Sequence, residues 1–245
     1  MRMQDLAQKL TTPLDAPAFL RGPYRFTDRT YLTITYRTDP RALERVVPPP
    51  LKVLDPTVRF EVMRMPDVTG LGDYTEAGQA ISVEYEGERG EFNLAMYVDS
   101  FPAIASGREI GAFPKKLGSP RLIVDSDTLV GTLDYGSLRV ATATMGYKHA
   151  PLDADQARDE LCSATFMLKL LPGYDGEPRI SELVRTQIKD ITVKGAWTGP
   201  ARLQLFHHAL APLADLPVLD VLAASHVLTD LTLGPADVVH DYLTH

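Results

Sequence analysis

Lys115 and Lys116 stand side by side in the stretch Ser106-Gly107-Arg108-Glu109-Ile110-Gly111-Ala112-Phe113-Pro114-Lys115-Lys116-Leu117-Gly118-Ser119-Pro120. Composition alone reads such a pair as solvated cations on a loop. The apolar frame of Ile110, Ala112, Phe113, Pro114 and Leu117 is the local oddity. An amine that loses hydration of its charged form is driven toward its neutral form, and a neutral lysine condenses with a ketone to give a Schiff base. An unperturbed lysine is neutral in roughly 0.04% of molecules at pH 7, and making it mostly neutral there costs about 5.4 kcal/mol. Lys116 supplies less than half of that. Adjacent side chains of an extended segment point to opposite faces, and across ~7 Å at an effective dielectric of ~20 the repulsion is about 2.4 kcal/mol. Desolvation of Lys115 is expected to be the larger cause.

Other chemistries find no support in the sequence. Cys162 is the one cysteine, which excludes an internal disulfide and any multi-cysteine metal or iron–sulfur site. It reads as an inert thiol after a helix. Of the six histidines, His149, His207, His208, His226, His240 and His245, the adjacent pair His207–His208 points to opposite faces of a strand, and the others lack ligand spacing. No GxGxxG follows a strand, Gly70-Leu71-Gly72 reads as a turn, and GxxxxGK[ST], HExxH and GxSxG are absent. A net charge of -7 repels phosphate backbones, so nucleic acid is not an expected partner. The N-terminus does not read as a signal peptide and no run approaches 18 apolar residues. The expectation is therefore no membrane, a reducing compartment and a cytoplasmic location.

The elements that must position Lys115 are mostly strands. Tyr31–Tyr36 is β-branched and aromatic. Val58–Met65 alternates, with Val58, Phe60 and Val62 on one face and Arg59, Glu61 and Met63 on the other. Ile81–Tyr85 and Phe92–Val98 keep the same period of two, and Leu129–Leu133 and Leu138–Thr144 flank a hairpin turn at Asp134-Tyr135-Gly136-Ser137. Further strands are expected at 164–171, 188–194, 201–206 and 226–233. Helices are expected after Asp39-Pro40 to about Val46, over 154–161 behind Asp153, through most of Leu213–Ala224 despite Pro217, and from Gly234-Pro235 to about Leu243. With no linker or repeat in 245 residues, 44% of them hydrophobic, the chain reads as a single domain, 1–245. The class is α+β, mainly antiparallel β: a large sheet or barrel enclosing a pocket, with peripheral helices.

The lysine segment resembles the active-site motif of the acetoacetate decarboxylase family, and the resemblance runs along nearly the whole chain. It is carried by Pro17-Ala18-Phe19, Arg21-Gly22-Pro23-Tyr24, Tyr36-Arg37-Thr38-Asp39, Val58-Arg59-Phe60-Glu61, Gly70-Leu71-Gly72-Asp73-Tyr74-Thr75-Glu76, the run Val124–Gly136, and Ala196-Trp197-Thr198-Gly199-Pro200. That family is itself a standing example of a lysine nucleophile beside another cation. The resemblance implies Lys115 as the Schiff-base lysine, Lys116 as its neighbour, Arg29 and Glu76 as active-site residues, and Glu61 as a second acid near the pocket. Without it, Arg29, Glu76 and Glu61 read as surface residues. The family often carries Tyr at the position of Phe113, so no phenol is available there. Implied too are decarboxylation of a small β-keto acid without cofactor or metal, and a large homo-oligomer. The same scaffold and lysine suit an aldolase–dehydratase on another oxo acid, and a non-catalytic ligand-binding barrel is a third reading.

Overall fold

Alternation along the chain decides the layering of this protein, seen here in a computed structural model that describes residues 2–244. In chain order the strands are β1 (Tyr24–Arg37), β2 (Lys52–Val68), β3 (Gly72–Tyr85), β4 (Glu88–Val98), β5 (Lys115–Leu117), β6 (Ser119–Asp125), β7 (Thr128–Tyr135) and β8 (Leu138–Gly146). They continue with β9 (Ala150–Pro151), β10 (Ala164–Pro172), β11 (Pro178–Thr186), β12 (Ile188–Thr198), β13 (Ala201–Leu205), β14 (Asp220–Leu233) and β15 (Asp237–Asp241). Among the described residues, α1 (Met3–Leu6) precedes the strands, and the short helices α2 (Pro40–Glu44), α3 (Phe101–Glu109) and α4 (Ala154–Leu161) lie between them.

The strands form an 11-stranded sheet in the order β15-β11-β10-β4-β3-β2-β1-β14-β12-β9, with β5 added on β4, and a 4-stranded sheet in the order β13-β8-β7-β6. All pairs are antiparallel except β4 with β10 and β4 with β5. Val58, Phe60 and Val62 of β2 and Leu32, Ile34 and Tyr36 of β1 pack with Leu129, Leu133, Ala141 and Met145 of the small sheet in one core. The opposite face of the large sheet carries a second core around Phe26, Tyr31, Met63, Met65, Tyr74 and Met96. The split of β2 into two faces is thus the one the alternation predicts.

Of the two architectures expected, the structure adopts the sheet and not the barrel. The path of the large sheet runs open from β15 to β9. Two helices are also corrected. Leu213–Ala224 is a 3-10 turn at Leu213–Asp215, followed by β14 from Asp220. Pro217 lacks the N–H a helix needs there and drives Leu216 out of the helical region, to φ -102 and ψ 84. The segment after Gly234-Pro235 is β15, because β11 offers an open edge that Val238 pairs with at Val184. The capped helices hold: Asp39 accepts from the Arg41 N–H, and Asp153 from those of Asp155 and Gln156. The pattern missed α3, whose signal is Pro102 in its first turn behind Ser100.

Candidate active site

Four adjacent strands turn one side of their alternation toward a single cavity. β1 contributes Arg29 and Tyr31, β2 Arg59, Glu61 and Met63, β3 Tyr74 and Glu76, and β4 Glu91, Asn93 and Met96. Lys115 enters from β5, and Gly107 and Ile110 close the side formed by α3. The cavity measures ≈ 120 Å³. Four of the five residues named from the sequence, Arg29, Glu61, Glu76 and Lys115, line it together.

Lys115 is buried, at 7% exposure. Its strand runs parallel to β4 with Lys115 opposite Met96, which aims the side chain to the cavity face. The chain reaches that position through a tight reversal after α3. The Phe113 N–H donates to the Gly107 carbonyl at 2.9 Å, and Ala112 takes a left-handed φ of 64°. Lys169 of β10 donates to the Arg108 and Glu109 carbonyls that end the helix, and the Arg108 guanidinium donates to the Lys115 carbonyl. The lysine stem then lies against bare backbone at Gly107.

Opposing influences meet at the Lys115 amine. Burial disfavours an ammonium. Against that, Glu76 Oε2 lies 2.9 Å from Nζ, and the rings of Tyr74 and Phe113 lie 5.5 and 5.4 Å away with their faces toward it. The Glu76 contact is ionic and not an aligned hydrogen bond, since Oε2 makes none. Glu76 is buried too, and its other oxygen stands 3.8 Å from the Arg29 guanidinium. One carboxylate therefore faces both cations.

Arg29 owes its direction to a bulge. The β1–β14 register slips between Phe26 and Arg29, and Asp28 adopts φ 55°. Asp230 accepts from the Asp28 N–H, and Lys194 bridges the Asp28 and Asp230 carboxylates at 2.7 and 2.6 Å. The guanidinium lies over the rings of Phe26 and Tyr31, 5.0 and 4.7 Å from their centres. Burial opposes its charge, but the fields of Tyr31, Glu76, Tyr74 and Glu61 outweigh that, and its pKa lies above the ordinary arginine value. Burial drives the Tyr31 phenol up to about 12 and holds Tyr74 well above the ordinary tyrosine value, so both stay protonated.

Hydrogen bonding is left incomplete in this cavity. Among the described residues, buried side-chain atoms without a hydrogen-bond partner are Arg29 Nε, Tyr31 OH, Glu76 Oε2 and, elsewhere, Thr38 Oγ1. Arg29 donates otherwise to the sulfur of Met63, a weak acceptor. Native proteins rarely leave buried donors orphaned. Two donors and an amine converging on a small space suit an anionic, oxygen-bearing ligand. Composition carries no signal for Tyr31, Tyr74 or Gly107 in this role.

Lys116 does not join them. Its side chain leaves on the opposite face, donates to the Leu210 carbonyl at 2.6 Å and lies 4.9 Å from the Tyr135 ring centre. Glu61 sits at the rim, accepting from Arg59 at 2.7 Å and from the Thr33 hydroxyl at 3.3 Å. Cys162 is partly buried at the C-terminal cap of α4. No cluster of three His, Cys, Asp or Glu able to hold a metal occurs among the described residues.

Residues 11–243 match the family described as acetoacetate decarboxylase (ADC). A Streptomyces nogalater protein named acetoacetate decarboxylase is 75% identical, over 99% of this chain and 100% of its own. A structure titled as structural studies of acetoacetate decarboxylase superposes with a TM-score of 0.98 at 58% identity, covering 99% of this chain and 100% of that one. The acetoacetate decarboxylase crystal structure from Legionella pneumophila gives 0.94 at 48% identity, over 98% and 96% of the two chains.

Proposed function

The chain belongs to the acetoacetate decarboxylase family, and we propose that it converts acetoacetate to acetone and CO2 through a Schiff base on Lys115. The observation that carries the assignment of the lysine is the buried ion pair of Lys115 with Glu76, set beside the unpartnered donors of Arg29 and Tyr31. Glu76 takes the ammonium proton and frees the amine to attack the keto carbon. Loss of water gives a protonated imine, the electron sink that a ketone lacks. The C–C bond to the carboxylate breaks, CO2 leaves, and the electron pair forms an enamine. Protonation of the enamine carbon and hydrolysis release acetone and restore the lysine.

Arg29 holds Glu76 and offers Nε to a substrate oxygen. Its grip must not tighten on the ground-state carboxylate alone, since binding that is equal in ground and transition states does not speed bond cleavage. Glu61 and Glu76 move protons at the carbinolamine and the enamine. The buried phenols stay neutral, so neither competes as an anion with the substrate. Lys116 shapes the opposite face and takes no proton. The match over 11–243 supports treating 1–245 as one domain. No helix among the described residues is long and apolar enough to cross a membrane. A cytoplasmic setting and a large homo-oligomer belong to the same proposal and rest on family resemblance and the single cysteine.

The test is acetone release from acetoacetate at mildly acidic pH, wild type beside Lys115→Ala, with borohydride added to trap the imine. Acetone and trapped adduct from wild type, and neither from the variant, are expected. A wild-type rate no higher than that of buffer overturns the substrate and turns the search to larger oxo acids.

A further inference from the structure

Arg59 clamps two carboxylates that the reaction as described leaves half explained. One terminal nitrogen donates to Glu91 and the other to Glu61, each at 2.7 Å. Glu160 of α4 lines the same cavity, and its field acts on both Arg59 and Glu91. Two carboxylates thus pair with one guanidinium while a third acts on it from further off, and the surplus negative charge favours a bound proton.

The cluster is also a wall between two spaces. Arg59, Glu91, Glu160 and Ser163 line the active-site cavity and, on their other side, a second cavity of ≈ 350 Å³. Thr33, Thr35, Thr57, Ser82, Thr198 and Ser225 give that second cavity a lining of hydroxyls. Hydroxyls suit water and the passage of protons, although Leu152, Ala223 and Ala224 add apolar surface to the same cavity. We infer that Glu91, held beside Glu61 by Arg59, feeds the active site with the proton that each turnover consumes, drawn from the hydroxyl-lined cavity. This rests on the Schiff-base decarboxylation proposed above.

The stoichiometry requires such a supply. Acetoacetate anion plus one proton gives acetone plus CO2. The enamine π pair forms the new C–H bond, and the nitrogen regains the iminium charge. Glu61 gives up that proton at the rim, Glu91 replaces it, and solvent in the second cavity recharges Glu91. Arg59 holds the two carboxyls side by side and is not itself deprotonated. The groups facing Glu91 are Arg59 and Glu61 from β2 and Glu160 from α4. In register, β3 and β10 put the uncharged Ser82 and Thr165 opposite it. Burial first, then Glu61 and Glu160, raise the Glu91 pKa against the pull of Arg59, so a proton is held there at higher pH than on a free glutamate.

Acetone and enzyme in D2O report this step alone, because the iminium loses and regains a carbon-bound proton without decarboxylation. Glu91→Gln is expected to slow deuterium exchange into acetone by about 10²-fold, at the lower end of acid–base contributions, while borohydride trapping of acetone stays at the wild-type level. Glu91→Asp restores part of the exchange. Glu160→Gln, an exposed change on α4 that leaves the fold intact, removes a negative neighbour and moves the alkaline limb of exchange to lower pH. Unchanged exchange in Glu91→Gln, equal loss of exchange and trapping, or an unmoved limb in Glu160→Gln each overturns the inference. A wild-type enzyme that borohydride cannot trap overturns the Schiff base itself, which separates the two failures.

Discussion

A Cβ on Gly107 would stand 2.7 Å from Cδ and 2.9 Å from Cε of Lys115. The lysine stem thus lies in the one space that a side chain at Gly107 would take. α3 supplies a wall of backbone there, and the wall sets where the amine points.

Gly107→Ala separates position from stability. Alanine suits a helix interior better than glycine by about 1 kcal/mol, and the atoms it meets belong to a flexible side chain. Thermal melting is therefore expected to be unchanged or higher. The displaced amine loses its place beside Glu76, and kcat falls by roughly 10²-fold, the scale of an Å-sized misplacement. A variant with normal kcat shows that Lys115 has room to move aside.

Lys116→Ala tests the source of Lys115 reactivity. The Lys116 ammonium is engaged with the Leu210 carbonyl and the Tyr135 ring on the far face. The pH profile of imine trapping is expected to match wild type. A profile displaced to higher pH in the variant makes the neighbouring charge, and not burial, the main influence.

Arg29→Lys keeps the charge and loses the plane that lies over Phe26 and Tyr31. A point cation does not serve both Glu76 and a substrate oxygen as the guanidinium fork does. kcat/KM for acetoacetate is expected to drop roughly 10²-fold, as for loss of one preorganised donor. Full activity in steady-state kinetics removes Arg29 from the reaction.

His226 gives a stability signature. Its ring stacks on Trp197 and contacts the Tyr31 carbonyl at 2.9 Å. Burial, aided by Lys148, lowers its pKa from 6.5 against the pull of that carbonyl. A lowered folded value means that the unfolded chain binds the proton first. The stabilisation is present above pH 6.5 and is lost as the pH falls from there through the folded value. Urea unfolding of His226→Gln between neutral and mildly acidic pH is expected to show a flatter fall than wild type. Equal slopes exclude the imidazole as the cause.

Much of the fold was open to reading from single residues. β2, β3 and β4 follow from period-two alternation, and α4 from the Asp153 cap. β14 and β15 were not so legible. Their first residues carry helical or mixed signals, and pairing with β1, β12 and β11 decides them. Of the site, only Lys115 stood out by its own surroundings. Arg29, Glu61 and Glu76 required the family resemblance, because nothing near them in the chain marks them as buried.

The sequence by itself determined which face of each strand is apolar, where the capped helices begin and that an odd lysine lies in an apolar frame, for these depend on neighbours a few positions away. Tertiary structure alone decided that the large sheet stays open, that Gly107 admits the Lys115 stem, and that Arg59 joins Glu61 to Glu91. Those facts depend on which strands become neighbours. Strand pairing is a competition among long-range contacts, and no local pattern records its outcome.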